Sequence, residues 1–166
     1  MADREPHWYR AYLTSTGYSA QDQITDTLPA PGGSTLTRLH YQFQGQSRAA
    51  IPFGQLPIRN PVLGVIARDA SDPAAVPPPL SFPSNDWLHY ELLSFTPVMY
   101  TIGSPTYVVT TYPGENIDRD VKAQRTFETG IELTWAWESN GVGNAIMFVQ
   151  LAYEALVLWP EGLHSP

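Results

Sequence analysis

Apolar and polar residues alternate strictly from Ile131 to Glu138. This alternation predicts a half-buried β-strand, because successive side chains of a strand point to opposite faces. One face carries the apolar residues Ile131, Leu133, Trp135 and Trp137. A second strand is predicted within the apolar segment Ala145–Trp159. The Gly- and Asn-rich residues between the two predict a loop, so we expect a β-hairpin.

The predicted last strand is apolar on both of its faces. One face carries Met147, Val149, Leu151, Tyr153, Val157 and Trp159. The other face is polar at Gln150 and Glu154 and otherwise carries large apolar residues: Ile146, Phe148, Leu156 and Leu158. A strand that is apolar on both faces is normally covered on both. We therefore expect a neighbouring subunit or a folded-back loop on this second face, and its four apolar residues are interface candidates.

Further strands are predicted from the same alternation and from β-branched and aromatic content. They are His7–Leu13, Thr35–Gln44, Pro61–Arg68, Trp87–Thr101 and Tyr107–Tyr112. In the second of these, Leu39, Tyr41 and Phe43 face one way, and Gly45 is expected to end the strand. Pro97 is expected to bend the fourth, because proline is excluded from central strands.

Three segments have weaker patterns. Thr14–Ser34 is interpreted as a polar connection that Ile24 and Leu28 anchor. Pro113–Asp120 is interpreted as an acidic turn, and Asp120–Glu128 fits either a strand or a short helix. We count eight to ten short strands with antiparallel patterns. This predicts an all-β fold, an antiparallel β-sandwich or a jelly-roll-like arrangement with long Pro-rich loops.

The length of 166 residues predicts a single domain spanning residues 1–166. The 16 prolines favour strands and loops over helices. Residues 1–6 are polar and are expected to form a flexible N-terminal arm. Residues 69–86 contain the triple proline Pro77–Pro79 and predict a long, stiff surface loop.

Charge and composition exclude several classes of function. The net charge is −7, and the nine basic residues, eight of them Arg, are scattered, so direct nucleic-acid binding is not expected. The chain has no Cys, which excludes disulfides and thiolate chemistry. No apolar run reaches the roughly 20 residues of a membrane span, and no signal peptide is visible.

Catalytic and metal-binding motifs are weak. Gly45–Ala49 differs by one residue from a nucleophile elbow but lies between strands, where an elbow requires a strand followed by a helix. His40 and His89 could meet across strands, and Glu132 could meet Glu154. The acidic set Glu115, Asn116, Asp118 and Asp120 contains oxygen ligands of the kind that calcium takes. The EF-hand pattern is absent, and a solvated acidic turn is the preferred explanation of that set. We expect no catalytic residue, no cofactor and no bound metal.

Two stretches resemble a group of small virion proteins of tailed bacteriophages. Ser34-Thr-Leu-Thr-Arg-Leu-His-Tyr is similar to a Thr-Leu-Val-Arg-like strand of that group. Asp120-Val-Lys-Ala-Gln-Arg-Thr-Phe-Glu, followed by Gly130-Ile-Glu-Leu-Thr-Trp, resembles its Asp-Val-Arg-x-Met-Arg-Lys-Leu segment, with Gln124 in place of Met. The resemblance implies an all-β virion component that assembles with copies of itself or with capsid or tail proteins.

These observations predict a non-enzymatic structural protein located in a virion, either capsid-associated (a decoration protein) or a minor structural component. It is expected to form a homo-oligomer and to contact other virion proteins. Arg38 and Arg125 are expected to anchor buried or interfacial ion pairs, with Asp118, Asp120 or Glu128 as partners. The alternative is a carbohydrate- or receptor-binding module of a phage tail, which would expose two or more tryptophans in one groove.

Overall fold

The computed structural model describes residues 4–15, 21–52, 62–71, 87–92, 98–102, 107–112, 116–138 and 146–163. Within these ranges the chain forms ten β-strands and no helix. The strands are β1 Pro6–Thr14, β2 Gln21–Leu28, β3 Thr35–Pro52, β4 Val62–Asp69, β5 His89–Leu92, β6 Val98–Ile102, β7 Tyr107–Tyr112, β8 Asn116–Thr126, β9 Ile131–Glu138 and β10 Ile146–Leu158. The all-β class is confirmed. The described ranges hold no helix that is long and apolar enough to cross a membrane.

Two antiparallel sheets pack face to face. Sheet A has the order β1-β10-β3-β7-β6, and β8 also pairs with β3. The first half of the long strand β3 pairs with β8 and its second half with β7. Sheet B has the order β2-β9-β4-β5. The predicted β-sandwich is therefore confirmed, and the strand order is compatible with the jelly-roll alternative.

The predicted hairpin between the last two strands is wrong. β9 belongs to sheet B, between β2 and β4, whereas β10 belongs to sheet A, between β1 and β3. The chain therefore crosses from one layer to the other between them. A second crossing divides the predicted strand Trp87–Thr101, of which β5 belongs to sheet B and β6 to sheet A.

Strands β2, β3 and β8 also differ from the sequence-based expectation. β3 continues through Gly45 to Pro52, because β10 and then β7 pair with it along that length. β2 lies in the segment interpreted as a polar connection. β8 begins at Asn116, inside the predicted acidic turn, and the ambiguous segment that follows is a strand.

The two ends of the described chain lie side by side. β1 and β10 pair antiparallel, with Pro6 opposite Leu158. The backbone N–H of Trp159 donates a hydrogen bond to the carbonyl of Glu5, at 3.1 Å. Pro6, the last residue of the predicted arm, is thus the first residue of β1. Of the predicted loop 69–86, Asp69 ends β4, and residues 72–86 lie outside the described ranges.

Aromatic rings from both sheets interlock in the core. Trp135 lies 4.9 Å from Tyr153 and 6.4 Å from Tyr41, measured between ring centroids, and Trp137 lies 6.2 Å from Phe43. Trp135 and Trp137 are fully buried. They come from sheet B, and the three rings that they meet come from sheet A. This places both tryptophans in the core, as the alternation of β9 predicts.

A β-bulge interrupts the alternation of β3. Leu156 and Val157 of β10 are consecutive, whereas their partners Arg38 and Leu36 are separated by Thr37, and the pairing of β3 with β8 also shifts there. The extra residue allows Leu36 and Leu39 to point into the core together, and both are fully buried. Opposite the shift, Gln124 of β8 has a φ of 46°, a left-handed backbone conformation that such bulges commonly contain. The strand beyond the bulge keeps its apolar side inward.

A second, smaller apolar cluster lies on the outer face of sheet B. It contains Val62, Ile66, Trp87 and Ala136. The indole of Trp87 lies directly over Gly64 of β4, where a Cβ atom would come within 2.6 Å of a ring carbon. A glycine is therefore required under this ring.

The substitution Trp135→Ala is expected to lower the free energy of unfolding by about 3–5 kcal/mol, because it removes a buried ring that contacts both layers. Urea denaturation followed by circular dichroism measures the change. Leu163→Ala, at an exposed apolar residue, is the matched control and is expected to change stability by less than about 0.5 kcal/mol. Equal effects of the two substitutions would contradict this description of the core.

The substitution Gly64→Ala is expected to displace Trp87, because the new methyl group would overlap its ring. Overpacking of this kind costs about 1–3 kcal/mol. The fluorescence of Trp87, isolated by subtraction of the spectrum of Trp87→Phe, is expected to shift to longer wavelength as the indole meets water. An unchanged spectrum and unchanged stability would show that the ring does not lie over Gly64.

Candidate interaction surface on sheet A

The outward side chains of β1, β10, β3 and β8 form one continuous surface, which we call the outer face of sheet A. The strand pairing aligns them in rows across the sheet. One row contains Tyr12, Ala152, Gln42 and Asp118, and the next contains Arg10, Glu154, His40 and Asp120. A third row contains Trp8, Leu156, Arg38 and Lys122. The exposed rings therefore lie on β1, on either side of Arg10, and the outward side chains of β8 are charged.

Two diagonal side-chain contacts join β3 to β8, one of them an ion pair between Arg38 and Asp120. Arg38 donates two hydrogen bonds to Asp120, from Nε at 2.6 Å and from Nη2 at 2.7 Å. His40 Nε2 lies 2.5 Å from Asp118 Oδ1, and Gln42 donates to the other oxygen at 3.4 Å. The hydrogen bond from Arg38 lowers the pKa of Asp120, and the hydrogen bond from His40 lowers the pKa of Asp118. Both carboxylates therefore stay charged at neutral pH.

A hollow of about 490 Å³ opens above Ala152. The small Ala152 side chain is its floor, and Tyr12, Gln42, His40 and the Arg10–Glu154 pair rise around it. Arg10 Nε lies 2.8 Å from Glu154 Oε1. The volume falls within the roughly 300–1,000 Å³ of ligand pockets. Its lining combines an aromatic ring, an amide and charged groups, which suits contacts through rings and charges.

Two aromatic side chains project from the β1 edge of this face. Trp8 is 50% exposed and Tyr12 is 63% exposed. Leu156, directly opposite Trp8 in the pairing, is half-buried, as is Leu158. Large exposed rings beside half-buried leucines form an apolar stripe of the kind that marks interaction sites. Exposed positions of β1 alternate with half-buried ones, and both sets contain aromatic residues, so the sequence does not show which side of β1 faces outward. None of the predicted interface residues lies on β1.

Four of the six predicted interface residues have described side chains, and all four lie on β3, β8 or β10. The predicted ion pair between Arg38 and Asp120 is present, on the exposed surface of the chain rather than in its core. Arg125 lies over the ring of Phe127, 5.5 Å from its centroid. Leu156 belongs to the apolar stripe and Leu158 follows it on the same strand face. The side chains of Ile146 and Phe148 lie outside the described part of the structure. The role of all six as interface residues stays a prediction.

The structure separates the pairs that the sequence left open. Glu132 lies on the outer face of sheet B and Glu154 on the outer face of sheet A, so the sandwich separates them and they cannot act as a catalytic pair. His40 points outward from sheet A, whereas His89 lies beside Tyr41 between the sheets. Residues 45–49 run within β3, without the turn into a helix that a nucleophile elbow requires.

The candidate calcium ligands do not form a loop. Asp118 and Asp120 lie on β8, each paired with a basic side chain of β3, and Glu115 lies outside the described residues. Among the residues that the structure describes, no three His, Asp or Glu side chains are grouped so that they could hold a metal ion.

A polar cluster lies between the sheets, on the side where β5 faces β8. Arg119 donates two hydrogen bonds to Glu91 Oε2, at 2.6 and 3.0 Å. The other oxygen, Oε1, is buried without a hydrogen-bond partner, 3.5 Å from His89 Nε2. The hydroxyl of Tyr41 is also buried without a partner. Burial and the nearby Glu91 carboxylate raise the pKa of this tyrosine.

A second polar contact joins the layers at the opposite edge. Tyr153 of β10 donates a 2.6 Å hydrogen bond to Asp26 of β2. Burial, followed by this hydrogen bond, raises the pKa of Tyr153. The inward Asp26 also explains why β2 escapes sequence analysis, since a carboxylate interrupts its apolar side and its partner lies 127 positions away in the chain.

Alkaline pH is expected to destabilise the fold through Tyr41 and Tyr153. Above about pH 10 a tyrosine of the unfolded chain loses its proton, whereas these two keep theirs. The unfolded state then binds fewer protons than the folded state, so stability falls as pH rises, by up to about 1.4 kcal/mol per pH unit for each tyrosine.

Urea denaturation between pH 8 and pH 11.5 measures this slope. Tyr153→Phe is expected to reduce the slope, and Tyr12→Phe, at an exposed tyrosine, is expected to leave it unchanged. A stability that stays constant up to pH 11.5 would contradict the assignment.

Comparison with known proteins yields little. No family model matches the chain, and no curated protein matches its sequence. Among solved structures, one chain in the structure of the infectious bursal disease virus Gx strain is similar, with 14% sequence identity and a TM-score of 0.33. The match covers 98% of this chain and 35% of the viral chain. A TM-score of this size does not establish a shared fold. The resemblance to tailed-phage virion proteins gains no support from these matches and stays a prediction.

Proposed function

We propose that this chain is a non-enzymatic structural protein of a bacteriophage virion, either a capsid-associated decoration protein or a minor structural component. It acts by associating with copies of itself and by docking onto other virion proteins. The observation that carries the proposal is the outer face of sheet A, a broad surface that combines exposed rings, half-buried leucines and ordered ion pairs.

The composition of this face supports a protein partner. Protein interfaces are enriched in aromatic residues and Arg. The face contains Trp8, Tyr12, Arg10 and Arg38 on β1 and β3, while Lys122, the one lysine of the chain, lies on β8. Hot-spot residues of interfaces are most often Trp, Tyr and Arg, which are the three types at its β1 side.

The ion pairs of the face support docking more than they support the stability of the isolated chain. Exposed pairs such as Arg38–Asp120 contribute little to folding, because solvent and salt screen the attraction between their charges. The two hydrogen bonds hold the guanidinium in a fixed position, which lowers the entropy that an interface would have to remove. The β3–β8 side of the face is therefore pre-organised.

A carbohydrate- or receptor-binding module is the second candidate. Exposed rings stack on sugar faces, and Tyr12 stands at the rim of a hollow with Gln42 and charged neighbours. A module of this kind was expected to expose two or more tryptophans in one groove. Trp87, Trp135 and Trp137 are buried, Trp159 is half-buried against His7, and Trp8 is the exposed one. This favours the structural role.

The test is the composition of purified particles. Particles from cells that produce the chain are banded on a density gradient, washed with 1 M salt, and analysed by quantitative mass spectrometry. The chain is expected to be in the band, at a fixed copy number relative to the major capsid protein. The free chain, run alone on an identical gradient, is the control and is expected to remain at the top.

Absence of the chain from washed particles would refute the structural role. A glycan array on the purified chain tests the second candidate. The receptor-binding module would be favoured instead if the chain binds a sugar, Tyr12→Ala abolishes that binding, and the chain is absent from the capsid.

A further inference from the structure

The backbone of β1 is paired on one side. Among the described strands, β1 is the outermost strand of sheet A and pairs with β10 alone. At one end of this ladder the N–H of Ser15 donates to the carbonyl of Val149, at 2.9 Å. At the other end the N–H of Trp159 donates to the carbonyl of Glu5, at 3.1 Å. The odd-numbered residues of β1 therefore direct their backbone groups toward β10.

The even-numbered residues of β1 direct their backbone groups away from β10, because the two kinds of position alternate in an antiparallel ladder. Those that offer both an N–H and a C=O on this free side are Trp8, Arg10, Tyr12 and Thr14. Their side chains lie on the outer face of sheet A. The free edge of β1 thus has the donors and acceptors that one further strand would pair with.

The other edge strands of the described sandwich are protected against such pairing. Edges are commonly protected by a short strand, a lysine, a bulge or an inward charge. β5 and β6 have four and five residues, β8 contains Lys122 and the bulge at Gln124, and β2 carries the inward Asp26. β1 has nine residues and none of these features, and its proline is its first residue. Its one permanently charged residue, Arg10, is paired with Glu154 of the same sheet.

The inward side chains of β1 are incompletely covered. Tyr9, Ala11 and Leu13 pack against the core but are half-buried, whereas the inward residues of the neighbouring strand, such as Leu151 and Ala155, are fully buried. A strand on the free side of β1 would cover them and would also pair the free backbone groups. The occupant that this edge fits is therefore an extended polypeptide strand.

We propose that β1 pairs antiparallel with β1 of a second copy of this chain, around a two-fold axis that is normal to sheet A and passes between the two copies of Ala11. The two A sheets then form one continuous sheet across the dimer, and each contact occurs twice. The inference rests on the self-association proposed above. It adds the strand, the direction of the axis and the register.

The outward side chains of β1 are complementary in this register. Arg10 lies opposite Tyr12 of the partner subunit, so the guanidinium can lie over the ring. Trp8 lies opposite Thr14 of the partner subunit. No two like charges are opposed, and all the free N–H and C=O groups of these residues find a partner across the axis.

The inward side chains are complementary as well. The two copies of Ala11 meet at the axis, where their small side chains allow the close approach of a non-hydrogen-bonded pair. Tyr9 lies opposite Leu13 of the partner subunit. The half-buried apolar residues of one copy therefore cover those of the other, and the cores of the two sandwiches meet below the joined sheet.

Other antiparallel registers are less favourable. An axis at Arg10 would place two guanidinium groups opposite each other, which is destabilising. An axis at Tyr9 would bring Pro6 into the ladder, and proline has no N–H to donate. A second copy is the partner that the described residues specify, because its β1 matches both faces of this strand and has the same unprotected edge.

Sedimentation over a concentration series up to about 1 mM tests the pairing. Tyr12→Pro removes an N–H that points away from β10, so it is expected to keep the fold and to abolish the dimer. Tyr12→Ala is the matched control, because it removes the ring and keeps the N–H. Since it removes two cross-strand pairs, it is expected to weaken the dimer about 2- to 30-fold. Circular dichroism and urea denaturation verify that both variants fold.

Disulfide cross-linking tests the register without a change at Tyr12. The chain has no cysteine, so one introduced thiol reports on one site. Ala11→Cys places two thiols at the axis, in a pair whose Cα atoms lie about 4.5 Å apart, within the range of a disulfide. Thr14→Cys is more exposed, but its two copies lie about 20 Å apart in this register. Ala11→Cys is expected to cross-link at least about 10-fold faster than Thr14→Cys.

A wild-type chain that stays monomeric at every concentration would overturn the proposal, as would a dimer that persists in folded Tyr12→Pro. Cross-linking of Thr14→Cys as fast as that of Ala11→Cys would also overturn it, as would a monomer whose β1 edge takes an extended segment of another protein. These outcomes are separate from the particle analysis. A chain found in washed particles keeps its structural role even if β1 stays unpaired.

Discussion

Contact between aromatic rings of opposite sheets is the interaction on which this structure depends. Trp135 and Trp137 of β9 reach across to Tyr41, Phe43 and Tyr153. The chain has no cysteine, so no disulfide joins the two layers. Besides the ring contacts, hydrogen bonds from Tyr153 to Asp26 and from Arg119 to Glu91 connect them. The indole N–H groups of both tryptophans are buried without hydrogen-bond partners, which costs about 1–3 kcal/mol for each. Their apolar contacts must exceed that cost.

The sheet packing also determines which surfaces remain for other molecules. Because the core occupies the inner faces, the outer side chains of β1, β10, β3 and β8 are free of any role in joining the layers. That surface has a mixed composition, with rings at one edge, balanced charges at the other and an alanine between them. Sheet B differs, since its outer face is partly covered by Trp87 packed over Gly64. The two outer faces of the sandwich are therefore not equivalent.

Alternation in the sequence predicted most of the strands and which side of β3 and β9 faces the core, but not which strands pair. β9 shows this clearly, since Trp135 and Trp137 are buried as expected while their strand lies in the other sheet from β10. A Gly- and Asn-rich connection suits a hairpin and a crossing between layers equally well, so the local sequence does not separate them. β2 was missed because its inward Asp26 is stabilised by Tyr153, a residue far away in the chain. Three residues of the outer face of sheet A, Arg38, Leu156 and Leu158, were predicted as interface residues. Trp8 and Tyr12 join this face because β1 pairs with β10, and no local pattern in the sequence reveals that pairing.

The antiparallel pairing of β1 with β10 has a mechanical consequence. Pro6 lies opposite Leu158, so the outer ends of the two strands emerge together at one corner of sheet A. A force that pulls these two ends apart acts perpendicular to the strands and loads one pair of hydrogen bonds at a time. The bonds then break in succession, as a zipper opens, and at far lower force than when strands are sheared along their length. A partner that covers this corner and clamps β1 onto β10 would convert a weak point of the isolated chain into a junction able to carry tension.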